Sequence, residues 1–298
     1  MGRRKEPTRL RLARLLCGRM QPFGVGKART LLYPYERGQR DDYAFAIKAK
    51  TGSTFRGTTA DFHAYPFAVN GYGDWRNWAV ALALTSPGDM LVEVGANVGT
   101  ETVGFSDIVG SAGRVVAFEP MPANLSALTA VIPGLRHSNV TLFPYALSDH
   151  AGSDTFALPT ASMSQGIGHL LGPEERATGR PTYYDTPADM TMIDVECRTL
   201  DEFAEQLRGV RLIVADAEGS EVSILRGGHR VLEAEQPALV LEASQPHQRR
   251  AGLGLDQLHA ELSRLGYKPF VIAGLTVEAV VDPLAAPQHS NWLCLPEG

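Results

Sequence analysis

The chain reads as an α/β protein built on a mostly parallel sheet with helices on both faces, and three observations carry that reading. From about Met90 onward, short apolar runs alternate with segments of helical period. Most of these runs lack polar alternation, as strands buried on both faces require. The first of them runs straight into a glycine turn and the second ends in a carboxylate, Glu119.

The elements follow in order. Strands are expected at Met90–Val94, Arg114–Phe118, Val140–Phe143, Leu212–Ala215 and Ala238–Glu242. Between them, Leu125, Leu128 and Ile132 repeat at helical spacing behind Pro122, a favoured first helical residue. Thr199 and Glu202 have the spacing of a capping box ahead of Phe203 and Leu207. Leu255, Leu258, Leu262 and Leu265 form a further stripe ended by Gly266. Tyr267–Ile272 and Trp292–Leu295 read as a closing antiparallel pair. Two regions break the alternation. Residues 1–88 read as an N-terminal extension covering the site, with an aromatic, glycine-rich stretch from Phe62 to Trp75. Residues 89–298 form the main domain, interrupted by an insertion at 151–196 whose ends, Asp154–Leu158 and Met192–Arg198, alternate as a β-pair would.

Bulk properties exclude several classes. With 298 residues, 44% of them hydrophobic, the chain can bury a large core. A net charge of −5 argues against nucleic acid as a partner. Cys17, Cys197 and Cys294 are scattered without a CxxC, so neither a disulfide framework nor a structural zinc is indicated, and a cytoplasmic location fits. No apolar run reaches the roughly 18 residues of a membrane span. Residues 1–20 carry Arg3, Arg4, Lys5, Arg9, Arg11, Arg14 and Arg19 among leucines. This segment fits neither a secretory leader nor a myristoylation signal. It reads as a frayed or docked terminal helix, with a basic amphipathic helix touching a membrane or partner as the alternative.

The chemistry concentrates at the first crossover. Gly95 and Gly99 permit a tight turn at the end of the first strand, and Glu119 ends the next strand where an acid can take ribose hydroxyls. The two glycines stand as GxxxG, without the GxGxxG of a dinucleotide site. A sulfonium cofactor needs no pyrophosphate cradle, so the pocket reads as one for S-adenosylmethionine (SAM). Glu93 would organise the loop or reach the ligand's amino group, and Met121 would lie against adenine.

At these residues the chain resembles a known family. Val92-Glu-Val-Gly-Ala-Asn-Val-Gly99, Phe118-Glu-Pro120, Tyr145-Ala-Leu-Ser-Asp149, Thr199-Leu-Asp201 and Asp216-Ala-Glu-Gly-Ser-Glu221 are similar to successive motifs of FkbM-type SAM-dependent methyltransferases. The resemblance covers roughly residues 88–245. It implies the class I methyltransferase (Rossmann-like) fold, a seven-stranded sheet with one antiparallel strand. It also implies that Gly95, Asn97 and Gly99 line the methionine half of SAM, Glu119 the ribose, and Ala146, Leu147 and Ser148 the adenine. Thr102 would support the loop, and Asp216 would face the transfer centre. On sequence alone Asp216 fits equally well as the cap of a helix over Ser220–Leu232.

Methyl transfer is an in-line displacement, so a hydroxyl acceptor calls for a general base or a metal. Candidate bases are Asp216, His169 in the insertion and His247 after the fifth strand. No metal is assigned, because Asp185, Asp189, Asp194 and Asp216 lack ligand spacing. Tyr183, Tyr184, Phe62, Tyr65 and Trp75 are candidates to flank the acceptor. The expected function is O-methylation of a small molecule, a sugar or secondary metabolite. N-methylation and a non-catalytic SAM-binding or scaffolding role are the alternatives. A homo-oligomer is compatible with the sequence.

Overall fold

The structure is a computed structural model that describes residues 5–20, 22–159, 168–183, 186–187, 189–274 and 276–297. The N-terminal segment comprises α1 (Thr8–Cys17), α2 (Pro22–Leu32), α3 (Tyr35–Asp41), a hairpin of β1 (Ala44–Lys48) and β2 (Thr54–Thr58), α4 (Ala64–Asn70) and α5 (Trp75–Leu84). Gly73-Asp-Trp75 is a helix start: the Asp74 side chain accepts the Arg76 N–H and caps α5. The segment's apolar residues pack in one cluster with the main sheet and the helix after its first strand, where Leu10, Phe55, Phe67 and Trp78 meet Leu91, Val103, Phe105 and Val115. The Trp78 indole fills the space where a side chain at residue 104 would stand, so Gly104 is what lets α5 approach.

The central unit then alternates as expected. It runs through β3 (Met90–Val94), α6 (Thr102–Val109), β4 (Arg114–Phe118), α7 (Pro122–Val131) and β5 (Val140–Phe143). An insertion follows, with β6 (Ala146–Leu147), β7 (Gly152–Pro159), β8 (His169–Leu170), α8 (Pro173–Thr178), β9 (Thr182–Tyr183), β10 (Thr186–Pro187) and β11 (Met190–Arg198). The chain returns through β12 (Val210–Ala215), α9 (Glu221–Arg226), α10 (His229–Glu235), β13 (Ala238–Ser244), α11 (Gln245–Arg250), α12 (Leu255–Arg264), β14 (Tyr267–Ala273), β15 (Thr276–Ala279) and β16 (His289–Pro296).

The main sheet has the order β15-β14-β16-β13-β12-β3-β4-β5. Seven strands are those expected, with β16 antiparallel to both neighbours and the other six mutually parallel. The short exposed β15 pairs with the edge of β14 and makes eight. The expected β-pair of the insertion is β7 with β11, which join β6 and β8 in a second sheet of four strands. The Leu255, Leu258, Leu262 and Leu265 stripe is buried against the sheet beside Trp292. Each such fully buried side chain contributes about 1.5–3 kcal/mol.

Two expectations change. The Thr199/Glu202 capping box forms, but it opens only a short 3-10 turn, Leu200–Phe203. The helix expected over Ser220–Leu232 splits into α9 and α10 at Gly227–Gly228, where the Ser148 carbonyl lies against Gly227. All three cysteines are free and buried, Cys17 in α1, Cys197 in β11 and Cys294 in β16.

Candidate functional site

A cavity of about 290 Å³ opens at the carboxyl ends of β3 and β12. The sheet order reverses between these strands, which is where open α/β sheets bind ligands. The Asp216 N–H donates to the Val94 carbonyl at 3.0 Å and ties the two strand ends together. The crossover turn is built by glycine for reasons internal to the protein. Gly95 and Gly99 have φ of +83° and +84°, which disfavours any side chain. A Cβ on Gly95 would also collide with the Asp216 carbonyl, and one on Gly99 with Leu128. The N–H groups of Gly95 and Ala96 donate to the Phe118 carbonyl, and that of Gly99 donates to Ala96. These amides are therefore already paired within the protein.

Glu119 anchors one end of the cavity and is 3% exposed. Its Oε2 accepts the Asn97 N–H at 2.7 Å, and its Oε1 accepts the Met121 N–H at 2.9 Å and the Asn124 amide at 3.2 Å. Two carboxylate oxygens offer about four lone pairs, so acceptor capacity remains on Oε2. Burial raises the Glu119 carboxyl, and the Met121 and Asn97 amides oppose that rise. Met121, Ala146, Leu147, Phe156 and Leu170 supply apolar wall beside it. Glu93 is also buried and lines the cavity, with Oε2 accepting the Thr102 hydroxyl at 2.7 Å. Burial, with Glu119 close by, pushes its carboxyl up to about 8.

The other end holds a dense set of titratable groups. Asp216, Glu218, Glu242, Glu101 and His247 all line it. His247 Nδ1 lies 2.9 Å from Glu242 Oε2 and 3.3 Å from Glu218 Oε2, while Arg250 reaches Glu218 at 3.5 Å. Burial, with Glu242 adding repulsion, raises Glu218 to about 8. Asp216 is open to the cavity yet set deep among protein atoms, and that surrounding raises its carboxyl. Burial lowers His247 below the ordinary histidine range. Glu101 is presented by α5: Asn77 donates to its Oε2 at 2.8 Å and Trp78 to its carbonyl at 3.0 Å. The donor atoms of Glu218, Glu242 and His247 lie within 4.8 Å of one another, a set that could hold a divalent cation. A second such group, His150, Asp154 and Cys197, lies in the insertion.

The profile of the Methyltransferase FkbM domain matches residues 93–269. The chain belongs to the FkbM methyltransferase family. Its main sheet has the seven strands, one of them antiparallel, that the resemblance implies, with β15 added at the edge. No curated protein matches it in sequence. Among solved structures it is similar to an FkbM methyltransferase from Methylobacillus flagellatus KT, with 16% identity, a TM-score of 0.45 and coverage of 92% of this chain. This chain spans 60% of that protein's length. It is also similar to Aeropyrum pernix fibrillarin with natively bound SAM (13% identity, TM-score 0.42, 85% of this chain and 82% of that one). A Thermotoga maritima SAM-dependent O-methyltransferase gives 10% identity, a TM-score of 0.42 and coverage of 85% and 77%.

The cavity gathers Glu93, Gly95, Asn97, Glu119, Met121, Ala146, Leu147 and Asp216. Gly99, Thr102 and Ser148 stand behind its wall. Gly99 packs on Leu128, Thr102 holds Glu93, and the Ser148 N–H donates to the Arg198 carbonyl. His169 is not brought to the cavity. Its neighbours Gly168, just before β8, and Leu170 in β8 face the cavity, so alternation turns His169 away, against Glu175 at 3.2 Å. Asp216 caps no helix, since α9 begins five residues later. Of the acceptor candidates, Phe62 lines the cavity. Tyr65 is buried against Tyr33 and Tyr35, and Trp75 carries the Arg76 guanidinium. Asp189 and Asp194 are exposed, while Tyr184 and Asp185 lie outside the described residues. Sequence reasoning missed Glu101, Glu218 and Glu242, which no spacing rule links before the fold is known.

Proposed function

We propose that this methyltransferase moves a methyl group from SAM to a hydroxyl of a small molecule, a sugar or secondary metabolite, with His247 as the base beside Asp216. The observation that carries this is the pairing of His247 with Glu242 and Glu218 in the wall of the cavity whose other end holds Glu119.

The residues present fit the cofactor. Glu119 keeps acceptor capacity for a ribose hydroxyl, and the Met121, Ala146, Leu147 and Phe156 wall suits an adenine face. Glu93 and Glu101 would offer hydrogen-bond acceptors to the amino group. SAM, when bound, supplies an electrophilic methyl group on a sulfonium. The protein's own work is then alignment and proton handling.

With Nδ1–H donated to Glu242, the neutral imidazole has Nε2, a buried atom in the cavity wall, as its basic nitrogen. Burial keeps His247 neutral near physiological pH, the state a base requires. As the acceptor oxygen bonds to the methyl carbon and the carbon–sulfur bond breaks, leaving a neutral thioether, the hydroxyl proton would pass to Nε2. Glu218 and Asp216 favour the resulting imidazolium.

An amine acceptor is the second reading, and the acidic side chains of Glu101, Asp216, Glu218 and Glu242 support it by offering acceptors to its N–H groups. Incubation with labelled SAM and an extract of the native host, followed by mass spectrometry of the product, tests both. A methyl on oxygen supports the first reading and a methyl on nitrogen the second. Failure of SAM and S-adenosylhomocysteine to bind would end both.

A further inference from the structure

Helix α1 is docked by one face only. Leu10, Ala13 and Cys17 are buried against the body, Arg14 Nε donates to the Ala68 carbonyl of α4 at 2.8 Å, and the Lys50 ammonium holds the Gly18 carbonyl just past the helix end. The opposite face does something unusual for a surface helix. Leu12, Leu15 and Leu16 are about half exposed, at 49%, 53% and 47%, and Met20 beyond them is 42% exposed. At 3.6 residues per turn these leucines share one arc of roughly 100°. Arg9 and Arg11 stand exposed on its two flanks, Lys5 precedes the helix and Arg19 follows it. Glu6 and Arg14 pair with each other at 2.5 Å, which removes the only acid of the first twenty residues from this surface.

An apolar arc edged by cations, in a chain whose net charge is −5, is complementary to one kind of surface. Leucines enter the interface of a bilayer while arginine and lysine stems reach up to its anionic headgroups. We propose that α1 docks this protein on an anionic bilayer surface, lying in the interface plane with Leu12, Leu15 and Leu16 inserted. This is attachment to one leaflet: among the described residues no helix is long and apolar enough to cross a membrane. Placement favours a functional use. The helix rests on α4, and α4 begins directly after Phe62 and His63, which line the cavity. A bilayer seated on α1 would therefore lie one seven-residue helix away from a wall of the reaction chamber.

Flotation of the intact protein with vesicles tests this, using phosphatidylcholine alone and phosphatidylcholine mixed with phosphatidylglycerol. Binding is expected only to the mixed vesicles and should weaken as salt is added. Arg9→Gln and Arg11→Gln should each lower the partition coefficient roughly fivefold. Leu12→Ser with Leu16→Ser should lower it by about tenfold or more. These side chains project from the body, so the variants should keep the parent melting temperature. Equal binding to neutral and mixed vesicles, or none to either, would overturn the proposal. Conversion of a sedimenting dimer to a monomer by the leucine variants, with no vesicle binding by the parent, would instead assign the face to a second copy.

Discussion

Glu119→Gln separates what this carboxylate does for the fold from what it does for the ligand. In the folded chain Glu119 Oε1 accepts from the Met121 N–H and Asn124, and Oε2 accepts from the Asn97 N–H at 2.7 Å. The amide can keep one oxygen, which the Met121 and Asn124 donors hold. Its NH₂ then faces the Asn97 N–H, donor against donor. One buried donor without an acceptor costs about 1–3 kcal/mol, which urea unfolding of the unliganded protein should register. On the proposed binding mode the same change removes a hydrogen bond from a ribose hydroxyl to an ionised group. Such a bond contributes about 1.5–3 kcal/mol, so S-adenosylhomocysteine should bind roughly ten- to 150-fold more weakly. Isothermal titration near neutral pH measures this directly. A folded Glu119→Gln protein whose Kd for S-adenosylhomocysteine matches the parent would refute the assignment of Glu119 to the ligand.

Further outcomes are expected. Gly95→Ala forces a positive φ on alanine and drives its methyl into the Asp216 carbonyl, which should destabilise the protein by about 2–5 kcal/mol in denaturant titration. Gly104→Ala overlaps the Trp78 indole and should cost about 1–3 kcal/mol, with a matching fall in melting temperature. His247→Gln should lower kcat by about 10²- to 10⁴-fold with an identified hydroxyl acceptor. The acidic limb of the parent's kcat/KM profile should then lie below the ordinary histidine value, because burial lowers His247. Burial, aided by neighbouring acids, raises Glu93 and Glu218 to about 8, so the folded chain holds protons there that the unfolded chain has released. Their contribution to stability is complete below the ordinary carboxyl range and is lost as pH rises through about 8. Unfolding free energy should fall over that window by up to about 1.4 kcal/mol per pH unit for each group.

The parts of the fold legible in the sequence are those with a local physical cause. Met90–Val94, Arg114–Phe118 and Val140–Phe143 are apolar runs between turns, and they form strands with those bounds. The Leu255 to Leu265 stripe is buried because its period matches a helix. Thr276–Ala279 gave no such signal, since an edge strand exposed along its length needs no apolar pattern. The helix splits at Gly227 where the Ser148 carbonyl leaves no room for a side chain, a contact set by tertiary structure. The site divides in the same way. Glu119 and Asp216 are visible because strand ends meet at a known edge of such sheets. His247, named from its place after the fifth strand, gains meaning only beside Glu242 and Glu218. His169 faces away because one step along β8 inverts a side chain's direction. Glu101 owes its place to Asn77 and Trp78, which the N-terminal segment brings from far along the chain.

The three sequestered thiols make the protein its own reporter of local opening. Burial raises Cys17, pushes Cys197 up to about 11 and lifts Cys294 further, so each is protonated and shielded from alkylating reagents in the closed state. One marks the terminal helix, one the small inserted sheet and one the interior of the large sheet. Mass-resolved rates of thiol labelling would therefore rank these three regions by how often each one breathes.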